Sequence, residues 1–155
     1  MDNIIEIIDE IYNELKDLNG GKVADYIPEL ANVSPNKFGI SICFVDGKTH
    51  NIGDTTDMFC LQSCSKPLSY CVAHDELGKE ELHKRVGFEP SGQAFNAFIL
   101  NKEGLPHNPM INAGAIMVAS QIGKNEEPSY RFNILKTKYS EFAGGNKVGF
   151  DNSVF

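Results

Sequence analysis

Two short β-rich runs, residues 38–45 and 48–52, meet at Asp46-Gly47, a pair suited to the positive φ angles of a tight hairpin turn. A lone hairpin is marginal in water and leaves strand edges unpaired, so this one has to be covered by other elements or by another chain. Ahead of it, Ile4, Ile5, Ile7, Ile8, Ile11, Leu15 and Leu18 recur at helical spacing between acidic and amide residues. That pattern predicts an amphipathic helix ended by Gly20-Gly21 and packed on the sheet. Behind the hairpin the spacing predicts helices over residues 66–77, 80–86, 113–122 and 130–142, with Gly144-Gly145 as a stop. The order implies an α+β chain of one helix, one hairpin and then a helical region, without internal repeats or low-complexity tracts.

With 155 residues, 41% of them hydrophobic, the chain can bury the core of one domain. A formal net charge of -7 argues against nucleic acid or an anionic membrane surface as a partner. No apolar stretch is long enough to span a bilayer, and the N-terminus lacks both the positive segment of a signal peptide and the arginine-rich character of a transit sequence. Cys43, Cys60, Cys64 and Cys71 include no Cys-x-x-Cys pair and stand among apolar residues, so reduced, buried thiols are expected. One alternative is a metal site from Cys60, Cys64, Cys71 and His74, the last two lying one helical turn apart; another is a cysteine nucleophile at Cys64.

Chemistry concentrates in Gln62-Ser63-Cys64-Ser65-Lys66-Pro67. Residues three apart share a helix face, so Ser63 and Lys66 can meet at a helix start. A serine hydroxyl is a poor nucleophile until a base takes its proton, and a desolvated lysine can lose its charge and become that base. This is the Ser-x-x-Lys logic of acyl transfer. The spacing alone is unspecific, because Ser34-Pro35-Asn36-Lys37 repeats it where the residue before a proline resists helix. Other polar residues have ordinary readings: Tyr26 as packing in a short helical segment closed by Pro28, Asn112 as the cap of the helix over 113–122, and Gln62 as a surface residue. His107 and its flanking prolines read as a rigid turn, and the apolar run Phe95-Asn96-Ala97-Phe98-Ile99-Leu100 as the core of a short helix.

Five segments in one order tie these residues together: Gly21-Lys22-Val23-Ala24-Asp25-Tyr26-Ile27-Pro28, the stretch from Phe59 through Lys66-Pro67, Glu89-Pro90-Ser91-Gly92, Pro106-His107-Asn108-Pro109, and Ile111-Asn112-Ala113-Gly114-Ala115-Ile116. From Gly21 to Phe155 the chain resembles the serine-dependent glutaminases, and most closely their animal, kidney- and liver-type members. The resemblance implies hydrolysis of L-glutamine to L-glutamate and ammonia through a seryl-acyl intermediate, without a metal or organic cofactor. It implies the N-terminal part of a β-lactamase/transpeptidase-like fold, with residues 1–20 as an added helix and 21–155 as a partial catalytic domain. It makes Ser63 the nucleophile, Lys66 the general base, Tyr26 a catalytic pocket residue, and Gln62 and Asn112 substrate-binding residues. It also places the run 95–100 in a loop at an oligomer interface, implies a homo-oligomer, and sets the location as cytoplasmic or mitochondrial. The family's catalytic domains are about twice this length. A catalytically incomplete fragment or pseudoenzyme acting as a binding module therefore stands as the alternative, and a penicillin-recognising acyl transferase as a weaker one.

Overall fold

The computed structural model describes residues 2–94 and 96–154, which gather into two units: residues 2–59 with 151–154, and residues 60–94 with 96–150. Phe95, the head of the apolar run, lies outside the described residues.

In the first unit, helix α1 (Asp2–Leu15) packs on an antiparallel hairpin of β1 (Gly39–Cys43) and β2 (Thr49–Gly53), in register from Gly39 opposite Gly53 to Cys43 opposite Thr49. The side-chain period of two turns Ile40, Ile42, His50 and Ile52 inward to half-burial and leaves Ser41, Cys43 and Asn51 exposed. Tyr12 of α1 stacks on Phe38 with ring centroids 5.5 Å apart, and Asp9 Oδ1 meets His50 Nε2 at 2.7 Å. Gly47 supplies the positive φ of the turn, 84°, as Asp46-Gly47 implied. The helix closes earlier than Gly20-Gly21, since Lys16 and Leu18 bond back in a last turn and the chain then runs on without regular structure.

A second correction concerns Pro28, which opens a helix and does not close one. Proline needs no N–H partner in a first turn, and α2 (Pro28–Ala31) starts there, burying Leu30 and leaving Tyr26 in the bend before it.

The hairpin is closed by charges. Asp54 accepts the Phe38 N–H at 3.0 Å, and Lys37 Nζ reaches Asp57 at 2.7 Å and Asp54 at 3.3 Å. The Phe38 N–H, and after it Lys37, hold the Asp54 carboxyl below the usual carboxylate range, while Asp57 first and then Asp54 raise the Lys37 ammonium. A depressed carboxyl stabilises above its unfolded pKa and loses that effect as pH falls through the folded value. A raised ammonium stabilises below its unfolded pKa and loses the effect as pH rises through the folded one. Protection of the Phe38 amide, its exchange measured against the intrinsic rate at each pH, is therefore expected to be greatest across the neutral range and to fall at both pH extremes; in Asp54→Asn the acid-side fall should vanish. An acid limb that persists in that variant contradicts the assignment.

The second unit is helical. Helix α3 (Ser65–Leu77) buries Ser69, Val72 and Ala73, spaced for one face, against α5 (Asn112–Gln121). The core is Val72, Ala73, Leu82, Val86, Val118 and Ile122, flanked by Tyr70, Leu77, Ile134 and Leu135. Each large side chain so buried contributes about 1.5–3 kcal/mol. The predicted helix over 80–86 is only a turn, α4 (Lys79–Leu82), because the His83 ring takes up tertiary bonds to the Tyr70 hydroxyl and the Val86 carbonyl, each at 2.9 Å. Helix α6 (Pro128–Phe142) stops at Gly144-Gly145 as expected, with φ of 65° and 83°. Its Arg131 guanidinium donates to the carbonyls of Ala119, Ser120 and Ile122, satisfying the C-terminal end of α5. Among the described residues no helix is long and apolar enough to cross a membrane.

Candidate active site

Ser63 lies in a single 3-10 turn, Gln62–Cys64, that runs directly into α3. Its neighbour Gln62 has φ of 49°, the only positive value outside glycine among the described residues. A side chain in that left-handed region costs about 1–3 kcal/mol and persists where its surroundings hold it. The Gln62 carbonyl is held by two donors from Ser65, the backbone N–H and the hydroxyl at 2.7 Å. Strain of this kind beside a potential nucleophile is a pointer to function, and Ser63 itself is exposed.

Lys66, half-buried in the first turn of α3, reaches across to the segment that leads into α5. Its Nζ donates to the Met110 carbonyl at 3.0 Å and to Asn112 Oδ1 at 2.7 Å. Both acceptors are neutral. Asn112 is thus not the cap of its own helix: Ile111 occupies the N-cap position with extended backbone and no side-chain bond, and Asn112 is the first helical residue. Capping was the natural reading of an amide at that place, but Asn108 already takes the neighbouring N–H groups with its Oδ1, from Met110 at 2.9 Å and Ile111 at 3.2 Å. The Asn112 oxygen is left for the lysine, so a tertiary bond replaces a local one.

Two further residues shape this corner and were not singled out as site residues in the sequence. Tyr139 of α6 donates to the Ser65 carbonyl at 3.2 Å and shares a 2.5 Å bond with Ser69 Oγ, which secures the first turns of α3. Nothing in the spacing of α6 marked it. Asn108 did carry a signal, since Asn-Pro is a turn initiator; that turn had been read through His107 and the prolines.

Of the residues singled out in sequence, the structure brings Gln62, Ser63, Lys66 and Asn112 into the second unit, with Lys66 and Asn112 in direct contact. Tyr26 belongs to the first unit, 72% exposed. The thiols are free but not buried: Cys43, Cys60, Cys64 and Cys71 are all exposed, Cys43 because strand alternation turns it away from α1. Among the described residues no three His, Cys, Asp or Glu side chains gather to hold a metal, so the Cys60, Cys64, Cys71 and His74 grouping is not formed. Residues 96–100 form an irregular loop and not a short helix, with Phe98, Ile99 and Leu100 exposed.

The family model for glutaminase matches residues 21–155. The chain is 47% identical over 148 residues to the mitochondrial liver isoform of glutaminase from Rattus norvegicus, an overlap of 96% of this chain and 25% of that protein. A glutaminase of Nostoc sp. is 41% identical over 153 residues, 98% of this chain and 45% of that one. Among solved structures, "Probable glutaminase ybaS" superposes with a TM-score of 0.89 at 31% identity, covering 99% of this chain and 50% of the other. Mglu in its tris and glutamate form superposes with a TM-score of 0.86 at 33% identity, covering 97% of this chain and 34% of the other. The chain spans between a quarter and a half of the length of these relatives.

Proposed function

The chain belongs to the glutaminase family and shares its β-lactamase/transpeptidase-like α+β fold, and from that premise we propose that it hydrolyses L-glutamine to L-glutamate and ammonia, with Ser63 as nucleophile and Lys66 as general base. The observation that carries the reading is the pair of acceptors on Lys66 Nζ. A neutral amine has two N–H donors and one lone pair. Met110 and Asn112 take two donors, which leaves the lone pair to accept the Ser63 proton.

The steps balance. Ser63 Oγ bonds to the side-chain amide carbon as its proton passes to Lys66, and backbone N–H groups near Ser63 hold the oxyanion. The C–N bond breaks as Lys66 returns the proton to departing ammonia. Water then attacks the glutamyl ester, Lys66 takes its proton, and Ser63 leaves protonated as glutamate forms. No step calls for a metal or organic cofactor. The Asn112 amide nitrogen is free of the lysine contact and suits the substrate's α-carboxylate; Gln62 and Tyr26 enter as pocket residues on the strength of the family motifs. The exposed loop 96–100 is proposed as a self-association surface, and the compartment as mitochondrial or cytoplasmic, the rat liver relative being named mitochondrial.

A second reading, a binding module without activity of its own, draws on one observation: the apolar side chains of Phe98, Ile99 and Leu100 stand exposed together. Incubation with L-glutamine separates the two. The catalytic reading expects ammonia and glutamate in equal amounts, with a penicillin-type β-lactam left intact. A folded chain that releases no ammonia supports the binding module, and one that opens the β-lactam supports the acyl transferase.

A further inference from the structure

We propose that Asn108 is a positioning residue for Lys66, acting through the single peptide group that lies between them; the inference rests on the reading of Lys66 as the general base. The Met110–Ile111 peptide is bonded at both edges. Its carbonyl accepts Lys66 Nζ at 3.0 Å, and its N–H donates to Asn108 Oδ1 at 3.2 Å. A trans peptide is planar with its C=O and N–H pointing to opposite sides, so fixing the N–H fixes the direction in which the carbonyl meets the lysine. The N–H bond also polarises the carbonyl and makes it a better acceptor.

The Asn108 side chain is itself held at three points. Its Oδ1 takes the Met110 N–H at 2.9 Å as well as that of Ile111, and its Nδ2 donates to the Glu89 carbonyl at 3.0 Å. Its backbone is held too, since the Asn108 carbonyl oxygen lies only 1.8 Å from where a Cβ on Gly114 would stand. Helix α5 therefore starts against Asn108, and Asn112, one helical residue in, falls beside Lys66. Asn108 thus sets both acceptors of the lysine, the Met110 carbonyl through its side chain and a shared peptide, and the Asn112 amide through its backbone against the start of the helix.

The test compares the purified chain with Asn108→Leu, which has similar size and no polar atoms, and Asn108→Asp, which keeps the acceptor. Reductive methylation by formaldehyde and cyanoborohydride, quantified lysine by lysine in peptides, reports how firmly Nζ is held. The exposed Lys102 and Lys124 serve as internal references. Asn108→Leu is expected to speed Lys66 methylation about fivefold, the equivalent of one ordinary hydrogen bond, with the reference lysines unchanged; Asn108→Asp is expected to stay near the parent rate. In initial-rate kinetics with L-glutamine, Asn108→Leu is expected to lower kcat and leave KM, with kcat restored in Asn108→Asp. An unchanged Lys66 rate in folded Asn108→Leu, or a rise shared by Lys102 and Lys124, overturns the positioning role and leaves the base assignment standing. A rise confined to Lys66 supports the positioning role even if Lys66 proves not to be the base. Should Asn108→Leu lose the parent far-UV spectrum, Asn108→Ser provides the same comparison.

Discussion

Lys66→Met is expected to slow ammonia release from L-glutamine about a thousandfold, the loss typical of a missing general base, while the chain stays folded. Methionine matches the length of the lysine stem and removes the N–H groups that meet Met110 and Asn112. Those acceptors lie at or near the surface, so water can replace the donor, and the stability cost should be about 1 kcal/mol in urea unfolding. Lys66→Arg sharpens the result. Guanidinium can still donate to both oxygens, but it does not give up a proton in a protein. If Lys66 only braced α3 against the start of α5, arginine would restore the rate; as the base, it leaves the rate as low as methionine does.

Gly114→Ala is expected to destabilise the second unit by about 3 kcal/mol, measured by urea unfolding. Helix propensity alone predicts the opposite sign, since alanine inside a helix is favoured over glycine by about 0.5–1 kcal/mol. Packing decides against it. The new Cβ would lie 1.8 Å from the Asn108 carbonyl oxygen and 2.7 Å from its carbonyl carbon, both backbone atoms that no rotamer change can move. Either α5 shifts outward or the Asn108–Pro109 turn gives way, and each displaces Asn112 from Lys66. Stability equal to or above that of the parent would mean that the close approach is not what glycine is there for.

Local chemistry was legible where a segment settles its own structure. Asp46-Gly47 specified its hairpin, and the β-rich runs 38–45 and 48–52 contain the two strands observed, Gly39–Cys43 and, to within one residue, Thr49–Gly53. Ser-x-x-Lys marked the corner where Lys66 sits, but spacing could not show what the lysine touches. Its acceptors lie 44 and 46 residues away, and contacts of that range are set by how α3 and α5 pack. The same reason explains the misreadings. Asn112 looked like a cap because capping is local, whereas Asn108 had taken that work and freed the amide. Residues 83–86 looked helical because Leu82 and Val86 are spaced for it, yet His83 turns its ring to Tyr70 and Val86. Pro28 was read as a stop and is a start, two positions that differ only in which side the helix lies. The cysteines were expected in the core from their apolar neighbours, yet Cys43 and Cys71 lie on outward strand and helix faces, and Cys60 and Cys64 in the exposed stretch that leads into α3.

The central claim is that Ser63 carries the acyl group, and trapping that group tests it most directly. The chain is mixed with L-glutamine, quenched in acid within the first turnovers, digested, and read by mass spectrometry for a glutamyl ester. The ester is predicted on the peptide holding Ser63 and should be absent in Ser63→Ala. Ammonia release without an adduct on Ser63, or an adduct on the adjacent Cys64 that survives in Ser63→Ala, would contradict the account.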